Sequence, residues 1–131
     1  MIGDSLTTAV LHRAMDGIWQ REKAVAANIA NHETPGYKAI KVTFEDALDR
    51  AATDVRRAGR HEGLPRRLET VKNAAIGVFQ DNTFAERADS SNVNLELENI
   101  EMAKVQMQYS YLSRELTDTF TRLRYAIREG R

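Results

Sequence analysis

The chain is predicted to be all-α dominated. Two long terminal helices pair as an antiparallel coiled coil, with an extended, irregular middle and a small β-hairpin between them. Three observations predict this. Residues 4–31 hold one glycine and no proline, and residues 94–129 hold neither. Apolar residues recur in both stretches at near-heptad spacing. Both prolines and four of the seven glycines fall in the stretch between them. The resulting division is 1–34, 35–92 and 93–131.

In the first helix Asp4 and Ser5 are placed to cap the start, accepting a bond from a free first-turn amide. Leu11, Met15, Ile18, Val25 and Ile29, spaced 4, 3, 7 and 4 residues apart, form its seam. Arg13, Asp16, Gln20 and Lys23 are assigned to the opposite face. Such a helix is roughly 40 Å long. Pro35 ends it by disfavouring helical geometry at Thr34, and Pro35-Gly36 suits the central positions of a type II turn.

Tyr37 to Phe44 is rich in β-formers and is expected to run extended, and Leu48 to Val55 reads as a short helix. Residues 50–72 carry seven basic against three acidic side chains, with Gly59, Gly63 and Pro65 as breakers, and are expected to form a weakly ordered loop. Ala75 to Phe79 and Thr83 to Ala85 are expected to pair as the hairpin across Gln80-Asp81-Asn82. In the last helix Asn94 is the expected N-cap, with Glu96 and Glu98 in the first turn where carboxylates favour the dipole. Leu97, Ile100, Met107 and Tyr111 form one apolar stripe; Leu112, Leu116, Phe120, Leu123 and Ile127 form a second after a step in register. This helix would reach roughly 54 Å.

Composition narrows the function. Nineteen basic and nineteen acidic residues cancel, so no whole-chain field attracts nucleic acid or an anionic membrane. The basic run Arg56 to Arg67 lacks interleaved aromatics and reads as a solvated loop. There is no cysteine, which excludes disulfide scaffolds, thiol nucleophiles and Cys-ligated zinc. His12, His32 and His61 lie in three separate segments without metal-ligand spacing, and no glycine-rich phosphate loop is present. The sequence predicts no enzyme, cofactor or metal. It holds neither a cleavable signal pattern nor an apolar run long enough to insert in a membrane. Apolar side chains off the main seams (Ile2, Leu6, Val10, Trp19, Val105, Leu112) suit a component of an assembly.

The segment Ala27-Asn28-Ile29-Ala30-Asn31-His32-Glu33-Thr34-Pro35-Gly36-Tyr37-Lys38 resembles the N-terminal signature of bacterial flagellar axial proteins, the rod and hook class. Asn92-Val93-Asn94-Leu95-Glu96-Leu97-Glu98 and Gln106-Met107-Gln108-Tyr109 resemble the C-terminal signature of that class. Within it, the short chain and the tail are most similar to the proximal rod proteins. Three positions depart from the pattern. His32-Glu33 replaces a small residue and an acid or amide, Asn94 replaces aspartate, and Ser90-Ser91 stands where a glycine-containing turn is common. That last change implies a local difference at the entry to the final helix.

The resemblance implies a structural subunit of the proximal rod of the flagellar basal body, whose terminal helices pack into a helical, torque-transmitting tube. The implied partners are copies of the chain, other rod proteins, the adapter joining rod to export gate, and the flagellar type III export apparatus. The implied location is the periplasmic rod, reached without a cleaved signal peptide. Its assembly motif would be Ala27, Asn28, Ile29, Ala30, Asn31, Thr34, Pro35, Gly36, Tyr37 and Lys38. Asn28 and Asn31, one turn apart, would bond free backbone groups at the helix end or across a subunit contact, plain C-terminal capping being the alternative. Tyr37 would anchor the extended segment by burying its ring, and Lys38 by pairing with an acidic neighbour. Another rod subunit with the same ends, or a cytosolic two-helix coiled-coil adapter, are the competing assignments.

Overall fold

A computed structural model of the chain describes residues 2–84 and 87–130, with side chains from residue 5 onward. Helix α1 spans Ile2–Ala30, α2 Glu45–Ala58, α3 Leu64–Lys72 and α4 Leu95–Glu129, with a single 3-10 turn at Gly59–His61. Strand β1, Ile40–Thr43, pairs antiparallel with β2, Gly77–Gln80, placing Ile40 opposite Gln80 and Thr43 opposite Gly77. No helix among the described residues is long and apolar enough to cross a membrane.

The two long helices pack lengthwise. Asn28 near the end of α1 bonds Glu98 near the start of α4, while Val10 to Ile18 share a groove with Met107 to Leu112. They therefore run antiparallel. The core between them and the middle of the chain gathers Ile18, Ala24, Val42, Phe44, Leu48, Val55, Val71 and Val105.

Four expectations change. Helix α1 already runs from Ile2, so Ser5 lies inside it rather than at its cap; the side chain of Asp4 is outside the described residues. Residues 50–72 are not a loop but the greater part of α2, the 3-10 turn and α3. Leu48, Ala51 and Val55, then Leu68 and Val71, recur at helical spacing, and that narrow stripe joins the core with α1. Arg50, Arg56, Arg57 and Arg66 lie exposed on the same two helices, whereas Arg67 is half-buried.

The sheet is not a local hairpin either. Gly77–Gln80 pairs back to β1, and Thr83 is in no strand; Ala85 lies outside the described residues. Finally, Arg13 does not face away from the protein. Its Nε and Nη2 both donate to the Ala74 carbonyl, at 2.9 and 2.6 Å, tying α1 to the end of α3.

Gly17 is a seat. A Cβ there would collide with the Phe44 ring, so only glycine lets the ring pack this closely on α1. One turn on, the Arg21 guanidinium sits 4.8 Å from the centroid of that ring. Arg21 also grips both carboxylate oxygens of Glu45, at 2.6 and 2.8 Å, and donates to the Val42 carbonyl. That bidentate bond, chief among its causes, holds the Glu45 carboxyl below its ordinary value of 4.5, against the opposing effect of partial burial. The corner between β1 and α2 is fixed by this set.

Candidate assembly junction

Helix α1 ends with its own carbonyls in need of partners. Asn31 supplies them twice, since its amide and its Nδ2 both donate to the Ala27 carbonyl, at 3.0 and 2.8 Å. His32 Nδ1 meets the Ile29 carbonyl at 2.8 Å, and Thr34 bonds back to Asn31 through both its amide and its hydroxyl. The chain then turns at Thr34-Pro35-Gly36-Tyr37. The Tyr37 amide donates to the Thr34 carbonyl at 3.2 Å, and Gly36 sits at φ +72°. This is the type II geometry expected of Pro-Gly. A Cβ on Gly36 would meet nothing within 4 Å, so the requirement is backbone conformation alone.

Asn28 performs a different task from Asn31. It is fully buried, and its amide mimics a backbone neighbour: Oδ1 accepts the Ile40 N–H at 2.8 Å and Nδ2 donates to the Ile40 carbonyl at 2.9 Å. Both polar groups of that residue are thereby satisfied on the helix side. The same Nδ2 reaches Glu98 Oε2 at 3.1 Å, and the Tyr37 hydroxyl lies 3.5 Å from Oδ1. Glu98 is only 3% exposed, and its other oxygen faces Lys41 Nζ at 3.5 Å. One side chain thus joins the end of α1, the start of β1 and the first turn of α4.

A second seam runs beside it. Residues 36–39 lie along 89–92. The Gly36 amide donates to Asp89, the Asn92 amide donates to Tyr37, and Asn92 Oδ1 accepts the Ala39 N–H at 2.8 Å. Asn92 Nδ2 donates to the Asp81 carbonyl at 2.7 Å. Among the described residues Lys38 forms no ion pair with a carboxylate; its Nζ donates to the Ser90 carbonyl at 2.9 Å. Tyr37 is half-buried. Ser90 adopts φ +61°, the left-handed backbone that glycine takes without strain, so the turn before α4 has glycine-like geometry without a glycine. Asn94 caps α4, its Oδ1 accepting the Leu97 amide at 3.2 Å.

Glu98 decides which side of α4 faces inward. With its carboxylate held by Asn28, positions seven residues apart follow it in: Glu98, Val105, Leu112 and Thr119. Leu97, Ile100, Met107 and Tyr111 are therefore turned out, Met107 to 73% exposure. In the second stripe Leu112, Leu116 and Leu123 are half-buried, whereas Phe120 and Ile127 are exposed. On α1, Ile18 and Val25 are buried, and Leu11, Met15 and Ile29 are half-buried. Apolar spacing alone does not tell which stripe at the start of α4 faces α1, because the pivot is a charged residue. Gly17, Arg21 and Glu98 were given no positioning role from the sequence. For Glu98 the available signal was its heptad phase with Val105 and Leu112.

The junction unites the two stretches that carried the family signatures. The chain is 28% identical over 114 residues to the flagellar basal body rod protein FlgB of Bacillus subtilis (strain 168), covering 85% of this chain and 84% of that protein. It is 29% identical over 112 residues to the flagellar basal body rod protein FlgB of Borrelia hermsii, covering 80% and 83%. These relatives support a FlgB-like flagellar basal body rod protein, similar to this chain over most of its length. No protein-family model matches it. Among the described residues no group of three or more His, Asp or Glu side chains could hold a metal ion.

Proposed function

We propose that this FlgB-like protein is a structural subunit of the proximal rod, building a helical tube that transmits torque across the periplasm. The observation that carries the reading is the polar junction at Asn28. It locks α1, β1 and α4 into one unit while leaving the stripe Leu97, Ile100, Met107 and Tyr111 of α4 outward. Neighbouring subunits cover that stripe. Along their contact, α1 and α4 act as an antiparallel coiled coil; residues 1–34 and 93–131 form the tube wall and 35–92 form its outer layer.

The assembly motif 27–38 has two roles in this reading. Asn28 and Asn31 set the end of α1 and the docking of β1, and Pro35-Gly36 aims the extended segment at a neighbour. The partners are copies of the chain, other rod proteins and the adapter to the export gate. The subunit reaches the rod through the flagellar type III channel, without a cleaved signal peptide.

The test is to delete the gene, inspect detergent-extracted envelopes by electron microscopy, and probe wild-type basal bodies for the protein by immunoblot. Rings lacking rods, with the protein present in wild-type basal bodies, are the expected result. Complete rods and filaments in the deletion strain would overturn the reading.

A further inference from the structure

Between α1, α2 and α4 lies a groove of about 550 Å³ lined mostly by apolar side chains, among them Val10, Ile18, Leu48, Met107 and Tyr111. Two carboxylates, Glu45 and Asp49, stand on its α2 wall. Arg21 engages Glu45, whereas Asp49 is exposed and has no hydrogen bond or ion pair within the described residues. The groove is thus greasy at its floor and negative along one rim.

The other end of α4 has the matching character. Every residue from 124 to 130 is exposed. Turns of helix bare on all sides gain nothing from packing, and short helical segments are marginal without it. Yet this tail carries Phe120, Leu123 and Ile127 at i, i+3 and i+7, one apolar stripe with Arg124 and Arg128 alongside. Residues 122–129 hold three arginines against one glutamate. The tail cannot reach its own groove. Tyr111 and Phe120 lie on the same unbroken helix, nine residues and about 13 Å apart.

We propose that the last turns of α4 from a second copy of this chain seat in the groove, with the apolar stripe inward and Arg124 and Arg128 toward Asp49. The inference rests on the rod-subunit reading and names the surface through which copies meet. The contact is heterologous, groove to tail, so each copy offers both halves and the interaction repeats around a ring or a helix. A self-complementary dimer is not its product.

The chain has no cysteine among its described residues or elsewhere, which makes a crosslinking test direct. Two full-length, differently tagged proteins, Tyr111→Cys and Ile127→Cys, are mixed and mildly oxidised, with circular dichroism confirming that each is folded. The expected product is the mixed disulfide between tags, with none when Tyr111→Cys is paired with a control, Asn73→Cys. Adding Arg128→Asp to the tail partner lowers the yield by about fivefold, as expected for an exposed charge pair, and Asp49→Arg in the groove partner restores it.

The same pair is then expressed together in cells and basal bodies are isolated. Crosslinks between copies there support the inference. Crosslinks from Tyr111→Cys only to a different basal-body protein, or yields indifferent to charge reversal, overturn it. Protein present in basal bodies without any copy-to-copy crosslink overturns the inference and leaves the rod reading standing. Protein absent from basal bodies overturns both.

Discussion

The two ends of the α1–α4 pair are built on opposite plans. Where α1 ends and α4 begins, a buried asparagine and a buried glutamate satisfy the polar groups of β1 and of each other. Where α4 ends, the side chains face solvent and Ile127 is 57% exposed. A buried polar network is costly unless every member is paired, and once paired it permits one arrangement only. Apolar stripes lack that selectivity, because they slide and accept substitutes. The polar end therefore fixes the rotation of α4 within the subunit, and the apolar end leaves its partner to be chosen by assembly.

The largest effect should come from breaking the polar end. Asn28→Ala strands the Ile40 N–H and carbonyl and removes a donor from the buried Glu98. Buried groups left unpaired cost about 1–3 kcal/mol each, so the variant should lose about 3 kcal/mol in urea denaturation. A loss under 1 kcal/mol would show that water replaces the amide and that the junction is not selective. Next comes Gly17→Ala. In most helices this change stabilises by about 1 kcal/mol. Here the added methyl collides with the Phe44 ring, and overpacking costs about 1–3 kcal/mol plus the displaced cation–π contact. The clash wins, and a net loss of about 2 kcal/mol in unfolding free energy, read by denaturant titration, is expected.

The same contrast explains what could be read from the chain alone. The long helices were legible because their interiors lack proline and their apolar residues keep helical phase. The Pro-Gly turn was legible because those two residues leave few backbone choices. The helix over residues 48–55 is legible, and the structure extends it to Glu45–Ala58; α3 is not legible, because the arginines and breakers of residues 56–67 have the average polarity of a loop, although Leu68 and Val71 complete the packed stripe begun by Leu48, Ala51 and Val55. The pairing of β1 with β2 was missed since it joins strands 34 residues apart, from Thr43 to Gly77, and no turn residues announce it. Within the junction, Asn28 was singled out but its partner was not. Glu98 read as a first-turn carboxylate suited to the helix dipole, and only the fold shows that it points inward.

Ser90→Gly should sharpen the polar end rather than break it. Serine at φ +61° carries the left-handed penalty of a Cβ, about 1–2 kcal/mol, partly offset by the greater freedom of glycine when unfolded. A gain of about 0.5–1 kcal/mol in thermal unfolding is expected, with the Lys38 bond intact because it uses the Ser90 carbonyl. The Arg21–Glu45 pair gives a smaller, pH-dependent effect. Because bonding to Arg21 lowers the folded carboxyl below its unfolded value, its contribution is present above pH 4.5 and disappears as pH falls through the lower folded value. The difference in melting temperature between wild type and Glu45→Gln should be constant from pH 7 to 5 and shrink below 4.5. A difference that grows on acidification would reverse the sign assigned to that pair.

The smallest effect on the isolated chain is expected at the bare end. Ile127→Ala removes apolar surface that is already in water, so stability should change by no more than about 0.5 kcal/mol. The comparison then makes a demand that neither end makes alone: a variant as stable as wild type should still be impaired in assembly, because the side chain was positioned for another molecule. Motility and rod content of basal bodies would measure that loss while denaturation of the purified protein measures the other. A loss near 2 kcal/mol in the purified chain would mean the tail folds onto its own subunit, and the contrast between the two ends would fail. Stability and assembly both unchanged would leave the apolar stripe at the end of α4 without a task.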